Sequence, residues 1–158
     1  NYYVRCVRGG QLEPSNLSRS GDIVTDSTTG LQWQDNDIVK TAERTWQEAI
    51  DYCENDVTLG GHNDWRLPNE KEMLSIRDKS HYNPAMDTGS SGFQNFSSDY
   101  YWSSTTNAYY TSNAWVVNFN NGRSNYSNKT NNHYVRCVRG GQFGTSAFLP
   151  PVIMYLLD

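Results

Sequence analysis

Tyr100-Tyr101-Trp102-Ser103-Ser104 and Tyr134-Val135-Arg136-Cys137-Val138-Arg139-Gly140-Gly141-Gln142 bracket the stretch on which the reading of this chain turns. Between them the sequence is drawn almost wholly from Asn, Tyr, Ser and Thr, interrupted by the apolar Ala114-Trp115-Val116-Val117. Such a mixture fills a core poorly. Tyr, however, offers rigid amphipathic contact area and Asn and Ser offer adaptable hydrogen bonding, as in antibody contact loops. The stretch therefore reads as a binding surface, and the rest of the chain as the scaffold that holds it.

The closing words recur at the other end. Asn1-Tyr2-Tyr3-Val4-Arg5-Cys6-Val7-Arg8-Gly9-Gly10-Gln11 matches Asn132 through Gln142, with only Tyr2 against His133 differing. Cys6 against Cys137 sets the offset at 131 residues, a whole-domain period rather than that of a solenoid. Residues 1–11 are expected to close a preceding copy, or else to pair as a terminal strand of the same fold. Residues 12–21, polar with Pro14 and Gly21, read as linker, 22–142 as the domain and 143–158 as a tail.

With 158 residues and 36% hydrophobic content, one small core is expected, helped by five Trp and eleven Tyr. A net charge of −4 supplies no basic stripe to neutralise phosphates, which argues against nucleic acid as a partner. The apolar run Phe148 to Leu157 is too short to span a bilayer and is broken by Pro150-Pro151, so no membrane insertion is expected. Neither a metal nor another cofactor is expected, since no Cys or His lies at short ligand spacing to another. Three cysteines, Cys6, Cys53 and Cys137, leave two arrangements open. If Cys6 belongs to a preceding copy, Cys53 and Cys137 remain to form a bridge; in a cytosolic protein all three would instead be buried free thiols.

Along the chain, Asp22 to Asp26 and Leu31 to Gln34 alternate as a hairpin around the turn Ser27 to Gly30. Asp35-Asn36-Asp37 lacks the glycine and distant Glu of a calcium loop and reads as an ordinary acidic turn. Thr45 and Glu48 form a capping box for a first helix, with Trp46, Ala49, Ile50 and Cys53 on one apolar stripe. Asn69 and Glu72 repeat the device for a second helix, with Met73, Leu74, Ile76 and Trp65 as buried contacts. Arg66 is read as a donor to loop carbonyls, and residues 80–98 as a long surface segment. Ala114 to Phe119 then forms a strand, Asn121-Gly122 a hairpin turn, and Tyr134 to Val138 the final strand.

Taken in order, Thr29-Gly30-Leu31 with Trp33-Gln34, Tyr52-Cys53, Trp65-Arg66-Leu67-Pro68, Tyr101-Trp102-Ser103-Ser104 and Val135-Arg136-Cys137-Val138-Arg139 resemble the Lcl C-terminal domain family, the C-terminal domain of the Legionella collagen-like adhesin. The resemblance runs from about Asp22 to Gln142. It implies an α+β, C-type-lectin-like fold: two helices packed on small twisted antiparallel sheets, with much irregular loop. It also implies an extracellular or cell-surface setting, bacterial or phage-associated, and a bridge from Cys53 to Cys137. The lectin motif for calcium-dependent sugar binding is not met: Glu13-Pro14-Ser15 and His62-Asn63-Asp64-Trp65 both depart from it.

The Asn/Tyr/Ser-rich segment further resembles the variable proteins of diversity-generating retroelements, in which errors at template adenines convert Asn codons to Tyr, Ser, Thr, Asp or His. The positions so implied are Asn107, Tyr109, Tyr110, Asn113, Asn118, Asn120, Arg123, Ser124, Asn125, Tyr126 and His133. Alternation around Trp115, Val117 and Phe119 gives a strand with a fixed inner face and a free outer face bearing Asn118 and Asn120. The expected function is a non-enzymatic module binding a protein or a glycan. The alternatives are a fixed adhesin-type repeat without diversification and an oxidase of related fold. That oxidase chemistry uses a close cysteine pair, whereas here Cys53 and Cys137 are claimed by the implied bridge. Nor does His62 or His81 stand beside a recognisable nucleophile motif.

Overall fold

The computed structural model describes residues 16–141. The motif copy at 1–11 and the tail 143–158 lie outside the described residues. In chain order the elements are β1 (Leu17–Ser20), β2 (Ile23–Asp26), β3 (Leu31–Gln34), α1 (Ile38–Thr41), β4 (Glu43–Arg44) and α2 (Trp46–Asp51), the last running into a π-helical turn (Tyr52–Asp56). Then follow α3 (Glu70–Ser75), β5 (Tyr100–Thr106), β6 (Asn113–Asn118), β7 (Arg123–Asn128), β8 (His133–Tyr134) and β9 (Val138–Gly140). The fold is mixed α and β, with short helices on two small sheets ordered β1-β2-β3-β9 and β4-β8-β5-β6-β7. All strand pairs are antiparallel except β5 with β8, which meet in parallel at Tyr101 and Tyr134.

Local chemistry explains most of these elements. The β2–β3 turn is closed by the Asp26 carboxylate, which accepts from the Thr28 N–H at 2.8 Å and the Thr29 hydroxyl at 2.7 Å. Gly30 then takes the left-handed φ of +69° that a side chain would resist. Both helix starts use the capping glutamates: Glu48 accepts from the Thr45 N–H at 3.0 Å, and Glu72 from the Asn69 N–H at 2.9 Å while Asn69 accepts in return. Leu17–Ser20, read from sequence as linker, instead pairs in full with β2. Its Leu17 and Arg19 alternate inward against exposed serines, a two-residue period hidden by the polar composition.

Strands β5 and β6 of the five-stranded sheet are covered on both faces. Ala114 and Val116 of β6 join Trp102, Tyr52, Cys53, Trp65 and Cys137 under α2 and its π-helical extension. Val117 and Phe119 turn the other way, with Tyr101, Met73, Trp33 and Val138, under α3. Residues 80–98 are irregular, yet they send Ala85, Met86 and Phe93 into the core at no more than 1% exposure. The segment is thus partly a core-forming loop, its apolar residues too widely spaced to read as an element.

The expected final strand, Tyr134 to Val138, is divided. β8 belongs to one sheet and β9 to the other, and residues 135–137 cross between them with every side chain buried. Cys137 there is bridged to Cys53 on the π-helical turn, 84 residues away in sequence. Arg136 is fully buried and donates to the Asp35 carboxylate at 2.9 Å, to the Gln34 carbonyl at 2.6 Å and to the Asn95 carbonyl. Asp35 also accepts from the backbone N–H groups of Gln94 and Asn95 and pairs with Arg19. It is therefore no ordinary acidic turn but a buried anion. Burial pushes the Arg136 pKa down to about 10, partly offset by Tyr101, which leaves it a cation at neutral pH. Arg66, expected to hold carbonyls, is instead bidentate to Glu72 at 2.7 Å for both contacts. The Glu72 that caps α3 is near enough to offer its paired oxygens.

Two predictions follow from this packing. Asp35→Ala leaves Arg136 as an uncompensated buried charge and is expected to cost about 3–5 kcal/mol, read as a large fall in urea midpoint. Breaking the bridge with Cys53→Ala and Cys137→Ala together releases a long loop, and about 2–4 kcal/mol of stability should be lost. The same variants in reducing buffer should lose nothing more.

Candidate functional site

The β6–β7 hairpin sets the geometry of the candidate surface. Its register pairs Asn113 with Asn128, Trp115 with Tyr126, Val117 with Ser124 and Asn118 with Arg123. Directly opposed residues share a face, so Asn113, Trp115, Ser124, Tyr126 and Asn128 lie on the face of Val117. Asn118, Arg123 and Asn125 lie on the face of Val116. The first face carries a row of rings. Trp115 meets Tyr126 edge-on at 6.0 Å, Tyr126 lies 5.9 Å from Tyr110, and Tyr110 meets Tyr109 edge-on at 4.8 Å. Exposure rises outward along the tyrosines, from 44% at Tyr126 to 50% at Tyr110 and 84% at Tyr109.

The loop carrying Tyr109 and Tyr110 is held from beneath. Asn107 is buried, and its side-chain oxygen accepts from the N–H groups of Tyr109 and Tyr110 at 2.9 and 3.0 Å. The Asn107 N–H donates to the Asn113 carbonyl, the Asn113 N–H to the Tyr110 carbonyl, and the Lys129 N–H to the Ser112 carbonyl. The rings thus stand on a closed backbone turn. Asn107 holds this loop rather than facing solvent.

The other candidates scatter. Asn120 sits in the β6–β7 turn, its N–H donating to the Asn118 side chain and its carbonyl accepting from Asn83. Asn118 and Asn120, expected on a free outer face, are both half-buried, because residues 83–85 pack along the turn and β6 is covered on both sides. His133 is half-buried between Trp102 at 4.7 Å and Tyr100 at 5.6 Å, with Nε2 2.8 Å from the Ser127 hydroxyl. It stands with the Val116 face, away from the tyrosine row. Trp115, assigned from sequence to the fixed inner face, is only half-buried and is the fourth ring of the row. What hid it was β7: without a strand assigned to residues 123–128, nothing placed Tyr126 opposite Trp115.

Charge is lopsided here. No Asp or Glu occurs between Asp99 and Asp158, although the chain as a whole is at −4. Arg123 is exposed, and Lys129 lies 3.9 Å over the Trp46 ring while donating to Thr106. Two surface clefts lie elsewhere, one lined by Glu43, Arg44, Asp51 and Tyr52 and the other by Asp22, Ile23, Gln32 and His62. Ser80, His81 and Asp78 do meet at the surface, but the serine and aspartate both contact the same ring nitrogen, Nδ1. A proton relay needs the two imidazole nitrogens to face different partners.

Burial lowers the His133 pKa, so its protonation is unfavourable in the folded state. The unfolded chain then binds the extra proton, and stability contributed by neutral His133 should fall as pH drops through about 6.5. His133→Gln should lose less stability than the parent between pH 7.5 and 5.5, measured by urea unfolding at each pH.

No curated protein matches the chain. The profile of the Lcl C-terminal domain matches residues 22–139. That span holds both buried clusters, the Cys53–Cys137 bridge and the whole tyrosine row, and the chain belongs to the Lcl C-terminal domain family.

Proposed function

We propose that this domain is a non-enzymatic binding module of adhesin type, whose contact surface is the face bearing Tyr109, Tyr110, Trp115 and Tyr126. The observation that carries the reading is the continuous row of rings, three of them between 44% and 84% exposed, on a hairpin fixed to a doubly buried strand. Exposed apolar area that is rigid and rimmed by hydrogen-bonding side chains is what a recognition site needs. Its partner is a protein or a glycan. The disulfide and the family are compatible with an extracellular or cell-surface setting. Short helices on small twisted sheets, with long ordered loops, favour a C-type-lectin-like fold.

Diversification of this surface is part of the proposal. Tyr109, Tyr110, Arg123, Asn125 and Tyr126 are exposed, whereas the intervening Ala114, Val116, Val117 and Phe119 are buried. Substitution at the first set touches little of the core. Asn107, whose carboxamide holds the loop, Asn118, whose side chain accepts from the Asn120 N–H, and His133, half-buried against Trp102, stand apart from that set.

Replacing Tyr109, Tyr110 and Tyr126 together by Ala should weaken binding to a ligand found on glycan or protein arrays by at least about tenfold, given the weight of aromatic anchors. Thermal unfolding should be nearly unchanged. Unaltered affinity would place the contact surface elsewhere. Deep sequencing of the gene from one culture separates a diversified surface, with substitutions clustered at Asn-type codons from 107 to 133, from a fixed adhesin repeat.

A further inference from the structure

β7 is the outer strand of its sheet, and among the described residues no strand pairs with its free side. Which of its backbone groups face outward follows from the neighbours. The Phe119 N–H donates to Asp99, the Asn113 N–H to Tyr110, and the Asn113 carbonyl accepts from Asn107. Odd-numbered residues of β6 therefore turn their backbone toward β5, and even-numbered ones toward β7. Their partners Ser127 and Asn125 bond inward, and Arg123, where the strand leaves the turn, gives its N–H to the Asn121 side-chain oxygen at 3.0 Å. Ser124 and Tyr126 are left with N–H and C=O groups aimed away from the sheet. In keeping with that direction, the Tyr126 N–H is taken by the side-chain oxygen of its neighbour Asn125 at 2.8 Å.

We propose that β7 receives an extended peptide segment of a partner protein as a sixth strand, in antiparallel or parallel register beside Ser124 and Tyr126. The proposal rests on the binding-surface reading above and names the class of its partner. An extended peptide is the occupant whose alternating N–H and C=O groups match the open row. β7 also lacks the devices that blunt free edges: it has no Pro, no Lys and no bulge, and its one charge is Arg123 at the start. The outward backbone and the ring row coincide, because Ser124 and Tyr126 carry their side chains on the Trp115 face. Every second residue of the added strand therefore lies beside Tyr126 and favours an apolar or aromatic side chain. The alternate residues lie on the opposite face beside Arg123, exposed in a stretch without any carboxylate of its own, and favour Asp or Glu. The Asn125 side chain holds the Tyr126 N–H until the peptide displaces it.

The test starts from a phage library of random linear 12-residue peptides panned against the full chain, with the best-enriched peptide synthesised. Alternating apolar and acidic residues are expected in it. N-methylation along the peptide should cost at least tenfold in Kd at every second residue and little at those between. Ser124→Pro removes an outward N–H and no inward one, so it should keep the parental melting temperature and lose at least tenfold in affinity. The Ser124 amide should exchange more slowly when the peptide is bound. Uniform tolerance of N-methylation, with affinity lost in the triple tyrosine variant, overturns strand addition and leaves the aromatic surface standing. Loss only in Ser124→Pro, with the tyrosine variant unaffected, upholds strand addition and removes the aromatic reading. Enrichment of no peptide, whether the chain binds glycans or pairs with itself through β7, overturns the proposal.

Discussion

Everything in this domain is arranged about the Arg136–Asp35 pair. Both side chains are fully buried, and two opposite charges without solvent survive only where hydrogen bonds stand in for water; Arg136 makes these through its two terminal nitrogens, while its Nε is left without a partner. The groups that satisfy them come from distant parts of the chain: the end of β3, the 94–95 loop, Arg19 of β1 and the crossing segment between β8 and β9. Phe93 lies 4.5 Å beneath the guanidinium, closing it off from water. A charge pair of this kind adds little net stability against a well-packed apolar replacement. What the pair imposes is a geometric condition: four separate segments must come together before both charges have their partners.

The adjoining Cys53–Cys137 bridge fixes the same crossing segment to the helix side. Between them, the pair and the bridge anchor residues 136 and 137 in opposite directions, so β8 and β9 can serve different sheets within eight residues, 133–140. β5 and β6 are thereby clamped with α2 over one face and α3 over the other. The outer hairpin strand is left to solvent. Scaffold and surface are separated by a single strand, β6, whose even and odd positions serve different clusters while Trp115 alone reaches the surface row.

The sequence carried the scaffold more openly than the surface. Capping boxes at Thr45 and Asn69, the Gly30 turn and the hydrophobic stripe through Ala49 and Cys53 are short-range signals, and each stands in the structure at its expected place. Asp35 misled because its acidity was judged among its neighbours Asn36 and Asp37, whereas its partner is about a hundred residues away. β1 and β7 were missed for a related reason. Both are edge strands of polar composition, whose extended shape comes from the neighbour they pair with rather than from their own residues. Without β7 there was no register, and without register the candidate positions could not be sorted into two faces. The tyrosines were identified by type alone; their assembly into one row with Trp115, and the separation of His133 and Asn107 from it, needed the pairing.

The divided last segment also has a consequence for how the chain is made. A ribosome delivers the N-terminal side first, so Asp35, Gln34 and Cys53 emerge long before Arg136 and Cys137. Until then β3 lacks β9, β4 lacks β8, and Asp35 has only Arg19 of its two guanidinium partners. Closure is a late, long-range event of the kind that makes folding slow. It comes only after the whole of 107–133 has been synthesised. A change in this segment that keeps it from folding back into the hairpin also keeps residues 136–137 from their seat, and the result is an open chain rather than a closed domain with a faulty surface.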